Sequence, residues 1–296
     1  MASFSDDNYD CSAYAACRPS PPKHLFDTVL AYHQAPRDLC IDLGCGNGAA
    51  ARGLASHFGS IFGVDPSESM LKEARAQTKR RNVHYRQCWA ESLPFVQTGT
   101  IDLVIACQAA HWFDPDLVWK EMTRIVRSGG TVAFWNWGNY VVVGHAHANR
   151  ALRKFSSVDL ASYWPQPGKA IWDDRMRPVE CRDFSNWTDH TRLESDSSGA
   201  PHALRTVENI RMQISDTLGG LEALLRTWSS VHEWRRAHPH AASVREGGAG
   251  DIVDNLIQDM IEGEEDWRRI TMSGGDWREI KLELETRSVL LMVRRA

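Results

Sequence analysis

Gly44-Cys45-Gly46-Asn47-Gly48 stands between an apolar run, Leu39–Leu43, and a run with helical spacing, Ala49–Phe58. Alternating glycines at such a point let the backbone approach a ligand closely, and the helix that follows offers free N–H groups at its start. A strand that feeds a helix through a tight turn is also the repeating unit of a parallel sheet, and the rhythm continues. Ile61–Val64 reads as a second strand and Ser67–Arg81 as a helix with Ser67 as N-cap. Val83–Gln87 and Ile101–Cys107 read as the third and fourth strands. Asp114 caps the next helix with Pro115 in its first position, and Thr131–Trp137 follows Ser128-Gly129-Gly130 as a fifth strand. The expected class is α/β, with helices covering both faces of the sheet.

The alternation stops near Val143. Thr206–Ala237 and Ile252–Glu265 have helical spacing, with polar stretches such as Asp189–His202 before the first and Glu246–Gly250 between them. Glu279–Glu285 and Ser288–Val293 then read as a closing β-hairpin. The expected organisation is an N-terminal segment over 1–36, a core over 37–142, a mainly helical insertion over 143–276 and the hairpin over 277–296.

Lys and Arg number 34 against 38 Asp and Glu, a net charge of −4. This argues against nucleic acid or an anionic membrane surface as general partners, although a local basic patch stays open. The seven cysteines are scattered without a CxxC pair, so reduced thiols are expected rather than zinc or iron–sulfur ligands. The opening MASFSDDNYD lacks the basic-then-apolar layout of a secretory leader, and no run approaches the ~18 apolar residues of a membrane span. A cytoplasmic protein is expected. His145-x-His147 has ligand-like spacing but no nearby acid or cysteine in sequence, so no metal is expected.

Two acids sharpen the reading of the glycine loop. Asp42 ends the first strand, where a carboxylate suits a cationic ligand better than a pyrophosphate. S-adenosylmethionine (SAM) carries an α-ammonium group and no phosphate; a dinucleotide such as NAD is the rival. Asp65 ends the second strand, where it can accept from both ribose hydroxyls of either ligand.

Ile41-Asp42-Leu43-Gly44-Cys45-Gly46-Asn47-Gly48 resembles motif I of class I SAM-dependent methyltransferases, and Gly63-Val64-Asp65-Pro66-Ser67 resembles their second motif. Cys88-Trp89-Ala90-Glu91-Ser92-Leu93-Pro94-Phe95 resembles the segment beside adenine in that family. Asp102–Gln108 is similar to motif IV, and Arg127-Ser128-Gly129-Gly130 to the turn before strand five. The resemblance implies a Rossmann-like seven-stranded sheet of order 3-2-1-4-5-7-6, mostly parallel, with a helical cap inserted between strands five and six. It also implies a cofactor set of Tyr14, Arg18, Asp42, Gly44, Gly46, Asp65, Pro66, Met70, Trp89, Ala90, Glu91 and Gln108, with S-adenosylhomocysteine as product.

Ala109-Ala110-His111-Trp112-Phe113-Asp114, Tyr163–Gly168 and Leu225–Ser229 resemble fungal trans-aconitate methyltransferase-like proteins. In that family Tyr14…Arg18-Pro19 belongs to a segment that folds over SAM, although Pro21 here stands where the family has tyrosine. The resemblance implies a small-molecule acceptor, a carboxylate oxygen or a secondary metabolite, and a monomer or homodimer. His111 is the candidate catalytic base at the C-terminal edge of the sheet. Trp112, Trp135, Trp137, Trp164, Lys169, Arg226 and Trp228 join His111 as candidate acceptor contacts; Arg175 and Arg177 are further candidate anchors for an acid. The alternative is a SAM-binding protein with a regulatory or rearrangement role.

Overall fold

A computed structural model describes residues 10–196 and 210–296. Its strands are β1 (Leu39–Leu43), β2 (Ser60–Asp65), β3 (Val83–Gln87), β4 (Ile101–Cys107), β5 (Val126–Val142), β6 (Trp187–Ser195), β7 (Met212–Thr217) and β8 (Lys281–Arg295). The sheet order is β3-β2-β1-β4-β5-β8-β6, with β7 also paired to β8. β2, β1, β4 and β5 run parallel, whereas β6 and β8 are antiparallel with Leu193 opposite Leu290. This is the Rossmann-like arrangement expected, with one strand more than the seven anticipated.

The chain divides into two compact units. One comprises residues 20–138, 166–212 and 287–296, and holds most of the sheet. Its core runs through Ile41, Leu43, Val64, Val104, Ala106 and Phe134, all essentially inaccessible. β4 is buried along nearly its whole length, which its unbroken apolar run requires. The one acid in that run, Asp102, is fully buried; its Oδ2 accepts from Asp38 N and Leu39 N at 2.8 Å each, and Arg127 approaches Oδ1 at 3.1 Å. A buried carboxylate is tolerated when so bonded, and here it anchors the start of β1. Ser67 and Asp114 cap their helices as expected, accepting from Met70 N and from Asp116 N and Leu117 N respectively.

The other unit comprises residues 1–19, 139–165 and 213–286, described from Asp10 onward. Helices Ala146–Lys154, Leu218–Arg226, Ile252–Gly263 and Glu265–Met272 bury Leu152, Leu221, Leu225, Met260 and Trp267 in one cluster. Asp251 begins Ile252–Gly263 with a capping box completed by Asp254.

Three expectations are corrected. The closing hairpin is one continuous strand, β8: Glu285, Thr286 and Ser288 are buried and carry it through the supposed turn, where no glycine or proline breaks it. The antiparallel partner of β8 in the sheet unit is β6, from a stretch read as polar loop. Its polar positions are satisfied by pairing, since Arg175 and Arg192 bond to the buried Glu194, so period-two hydrophobicity gave no signal. The segment Thr206–Ala237, read as one helix, contains β7 and two helices, Leu218–Arg226 and Ser229–Ala237; Thr217 caps the first by accepting from Gly220 N at 3.0 Å. The start of that segment, 206–209, and the end of the polar stretch before it, 197–202, lie outside the described residues. Residues 166–212 cluster with the unit that holds most of the sheet.

Candidate cofactor and active site

Gly44, Gly46 and Gly48 adopt φ of 60°, 52° and 78°, the left-handed region that side chains resist. Space as well as torsion dictates two of them. A Cβ on Gly44 would lie 2.5 Å from the Ala109 Cβ, and one on Gly48 would lie 2.1 Å from the Tyr85 hydroxyl oxygen. At Gly46 a Cβ would meet nothing within 4 Å, so the middle of the loop faces open space.

Asp42 lies beneath this loop with no exposed surface. Its Oδ2 accepts from Ala51 N at 3.0 Å, while Oδ1 is buried without a hydrogen-bond partner among the described residues. Burial pushes its carboxyl from the usual 3.8 up to about 8, against the pull of the Ala51 N–H. A buried acid with an unused oxygen is an expensive arrangement unless something cationic meets it. Asp65, at the end of β2, accepts from Gly46 N through Oδ2 and from Ser67 N through Oδ1, both at 2.9 Å. Burial raises its carboxyl too, and the two backbone bonds oppose that shift. It thus ties the glycine loop to the start of the next helix, with lone pairs remaining on both oxygens. Pro66 uses its carbonyl to accept from the Gln87 side chain, and Met70 is buried.

After β3, Ala90 is buried whereas Trp89 is 59% exposed, an unusual setting for so large an apolar ring. Glu91 Oε1 accepts from Asp114 N at 2.9 Å. Gln108, at the end of β4, takes φ of 56°, a strained conformation for a residue other than glycine. Its Nε2 donates to the Trp137 carbonyl at 3.0 Å, and its Oε1 is buried without a hydrogen-bond partner among the described residues.

His111 and Trp112 follow on a short 3₁₀ turn, Ala110–Trp112, with their rings 4.7 Å apart. The Trp112 ring packs on Gly168, where a Cβ would come within 2.5 Å. Trp135 is fully buried against Phe26, edge to face at 6.0 Å, and is a core residue in this arrangement. Trp137 is also buried, and its carbonyl accepts from both Gln108 and Trp172. Lys169 pairs with Asp173 and lies over the Trp172 ring. Arg175 pairs with Glu194 and Asp196, and Arg177 with Asp174.

Tyr14, Arg18, Trp164, Arg226 and Trp228 belong to the second unit. Arg18 stacks over Tyr14 and donates to Thr227 Oγ1 and to the Thr227 carbonyl at 3.2 Å each. Trp164 packs on Trp228 at 5.4 Å and donates to the Ser156 carbonyl. Arg226 engages Glu222, Asp251 and Asp254 through its three nitrogens at 2.9, 2.6 and 2.6 Å. That bonding makes it an internal counter-charge for three acids rather than a free grip for a substrate. His145 lies with Glu264 and Asp266, acids distant in sequence whose ligand atoms fall within 4.8 Å of its own. Glu264 accepts from Ala148 N and approaches His145 Nδ1 at 3.4 Å.

Tyr85 carried no motif, yet its hydroxyl oxygen bonds to Thr78 Oγ1 at 2.9 Å and its ring backs Gly48 and Gly63. No local pattern distinguishes such a residue, because its role exists only once β3 lies beside β2.

Residues 41–134 match the family described as "Methyltransferase domain". The chain is 25% identical over 280 residues to the "Probable S-adenosylmethionine-dependent methyltransferase CRG1" of Saccharomyces cerevisiae, covering 88% of this chain and 90% of that protein. It is 30% identical over 179 residues to a Dictyostelium discoideum protein named as a methyltransferase, covering 60% and 66% of the two chains. A solved structure described as a type II methyltransferase, from Anaeromyxobacter dehalogenans, shares the fold with a TM-score of 0.64 at 24% identity over 94% of this chain and 97% of the other. Sheet order, glycine loop and strand-end acids have the arrangement of the class I methyltransferase fold, and residues 41–134 carry a methyltransferase domain. Over 88% of its length the chain is similar to a protein named as a SAM-dependent methyltransferase. The residues fit that cofactor: the unused Asp42 oxygen, the open face of Gly46 and a loop without a basic side chain suit a cation lacking phosphates.

Proposed function

We propose that the protein methylates a small-molecule acceptor, with a carboxylate oxygen as the first acceptor to test. The observation that carries the cofactor half is the buried, half-bonded Asp42 beneath three left-handed glycines. The acceptor half rests on the resemblance of Ala109–Asp114, Tyr163–Gly168 and Leu225–Ser229 to trans-aconitate methyltransferase-like proteins. SAM, when bound, supplies a methyl group activated on a sulfonium. Asp42, Gly44, Gly46, Asp65, Pro66, Met70, Trp89, Ala90, Glu91 and Gln108 would hold it, Asp65 at the ribose and Trp89 at the base. In-line transfer requires the acceptor atom held about 3–3.5 Å from the methyl with water excluded. A carboxylate acceptor is ionised at neutral pH and needs no base. A hydroxyl acceptor would call on His111. Trp112 and Trp137 support a wall for the acceptor, while Lys169, Arg175, Arg177 and Arg226 are each paired with acids, which removes the simplest anchors for a carboxylate.

Incubation with methyl-labelled SAM and separate polycarboxylates, phenols, indoles and amines, read by mass spectrometry, tests this. Label on an acid that hydrolyses as a methyl ester supports the carboxylate reading. Label on a phenol or amine but on no acid overturns it, and no transfer to any small molecule overturns the acceptor class.

A further inference from the structure

β3 ends the sheet, and a cleft of about 600 Å³ opens along it. Phe62, Arg75, Arg80, His84, Tyr85 and Arg86 are among its lining residues. The three arginines come from separate elements: the helix Glu68–Gln77, the turn that follows it, and β3 itself. Their surroundings are strongly cationic, since Lys72, Arg75, Lys79, Arg80, Arg81 and Arg86 face a single acid, Glu73, in residues 72–86 of a chain with net charge −4. Among the described residues Arg75 is ion-paired, to Glu68, and both side chains are about half exposed. Arg80 has no ion pair among the described residues, and Arg86 lies over the Phe95 and Phe62 rings, at 4.7 and 5.9 Å, rather than on an acid. A ring contact fixes the direction of a guanidinium while leaving its N–H fork available. His84 and Phe62 pack at 5.3 Å and form one wall, and Tyr85, held by Thr78, lines the cleft from the other face of β3.

Guanidiniums that line one cleft repel one another less when an anion lies among them, and their forks match phosphate oxygens in bidentate geometry. None of the six belongs to the cofactor or acceptor sets above. We propose that this cleft binds a ligand carrying clustered phosphates, with Arg75, Arg80 and Arg86 as its counter-charge and the Phe62–His84 wall beside it. Such phosphates occur on free metabolites and on lipid head groups.

Titration calorimetry of the full chain with tripolyphosphate tests the free form, with citrate as a non-phosphate anion of similar charge. Flotation with phosphatidylcholine vesicles, with and without phosphatidylinositol bisphosphate, tests the lipid form. Saturable binding of either phosphate probe is expected, weakened about tenfold or more by Arg80→Ser combined with Arg86→Ser. Arg81→Ser, outside the lining residues, serves as the control for bulk charge and should bind as the parent does. Arg80, Arg81 and Arg86 are exposed, so melting temperatures should stay together. Binding of vesicles alone identifies a head group as the phosphate source and supports the site. No binding of either probe, citrate binding as tight as tripolyphosphate, or equal losses in Arg81→Ser would overturn it.

Discussion

Asp42→Asn isolates the consequence of burying a carboxyl under the glycine loop. The folded protein holds that carboxyl at about 8 against 3.8 for a solvated one, a difference on the order of 5 kcal/mol. Below pH 3.8 both folded and unfolded states are protonated there and nothing is lost. Between 3.8 and 8 the unfolded state releases its proton while the folded state keeps it, so stability falls as pH rises. Above 8 both are ionised and the full penalty persists. Asparagine keeps an oxygen to accept from Ala51 N and never ionises. The parent should therefore lose about 4 kcal/mol relative to the variant between pH 5 and pH 9, at up to roughly 1.4 kcal/mol per pH unit. Urea unfolding of both proteins at pH 5, 7 and 9 measures this as a widening gap between them. A bound cation should draw the same proton off, so SAM binding at pH 7 should release close to one proton in the parent and none in Asp42→Asn. Calorimetry in buffers of different ionisation enthalpy reads that number. Parallel stability profiles, or equal proton release by both proteins, would refute the reasoning.

Asp65→Ala strands Gly46 N and Ser67 N, at about 1–3 kcal/mol each, and should weaken SAM binding more than tenfold; calorimetry returning the parent affinity would remove Asp65 from the site. Trp89→Ala should leave stability within about 0.5 kcal/mol, since the ring is already largely in solvent, while cofactor affinity drops several-fold in fluorescence titration. A large fall in melting temperature would instead make Trp89 a packing residue. Arg226→Met leaves Glu222, Asp251 and Asp254 without their shared cation and should cost about 3–5 kcal/mol by chemical denaturation. An unchanged midpoint with a raised KM would return Arg226 to the acceptor site.

Residues 39–137 announced their fold because each element there is specified locally. Apolar strands alternate with capped helices, and glycines sit where left-handed torsions are required, so neighbouring residues suffice to read β1 to β4, the helices between them and the strand ends that bear Asp42 and Asp65. Beyond Val143 the stabilising partners come from far along the chain. β6 is a strand because β8 pairs with it and because arginines neutralise Glu194, neither of which its own polar sequence displays. β8 is continuous because its central residues are buried, a condition set by neighbours rather than by turn chemistry. The same distinction governs the side chains. Asp42 was readable as an acid at a strand end, but its lifted carboxyl and unused oxygen follow from desolvation by the packed sheet. Arg226 read as a candidate acceptor contact, and the three acids that it pairs with lie on its own helix and up to 28 residues away. Residue type and spacing thus established the chemistry available to this protein, whereas burial and long-range pairing established which groups remain at liberty to use it.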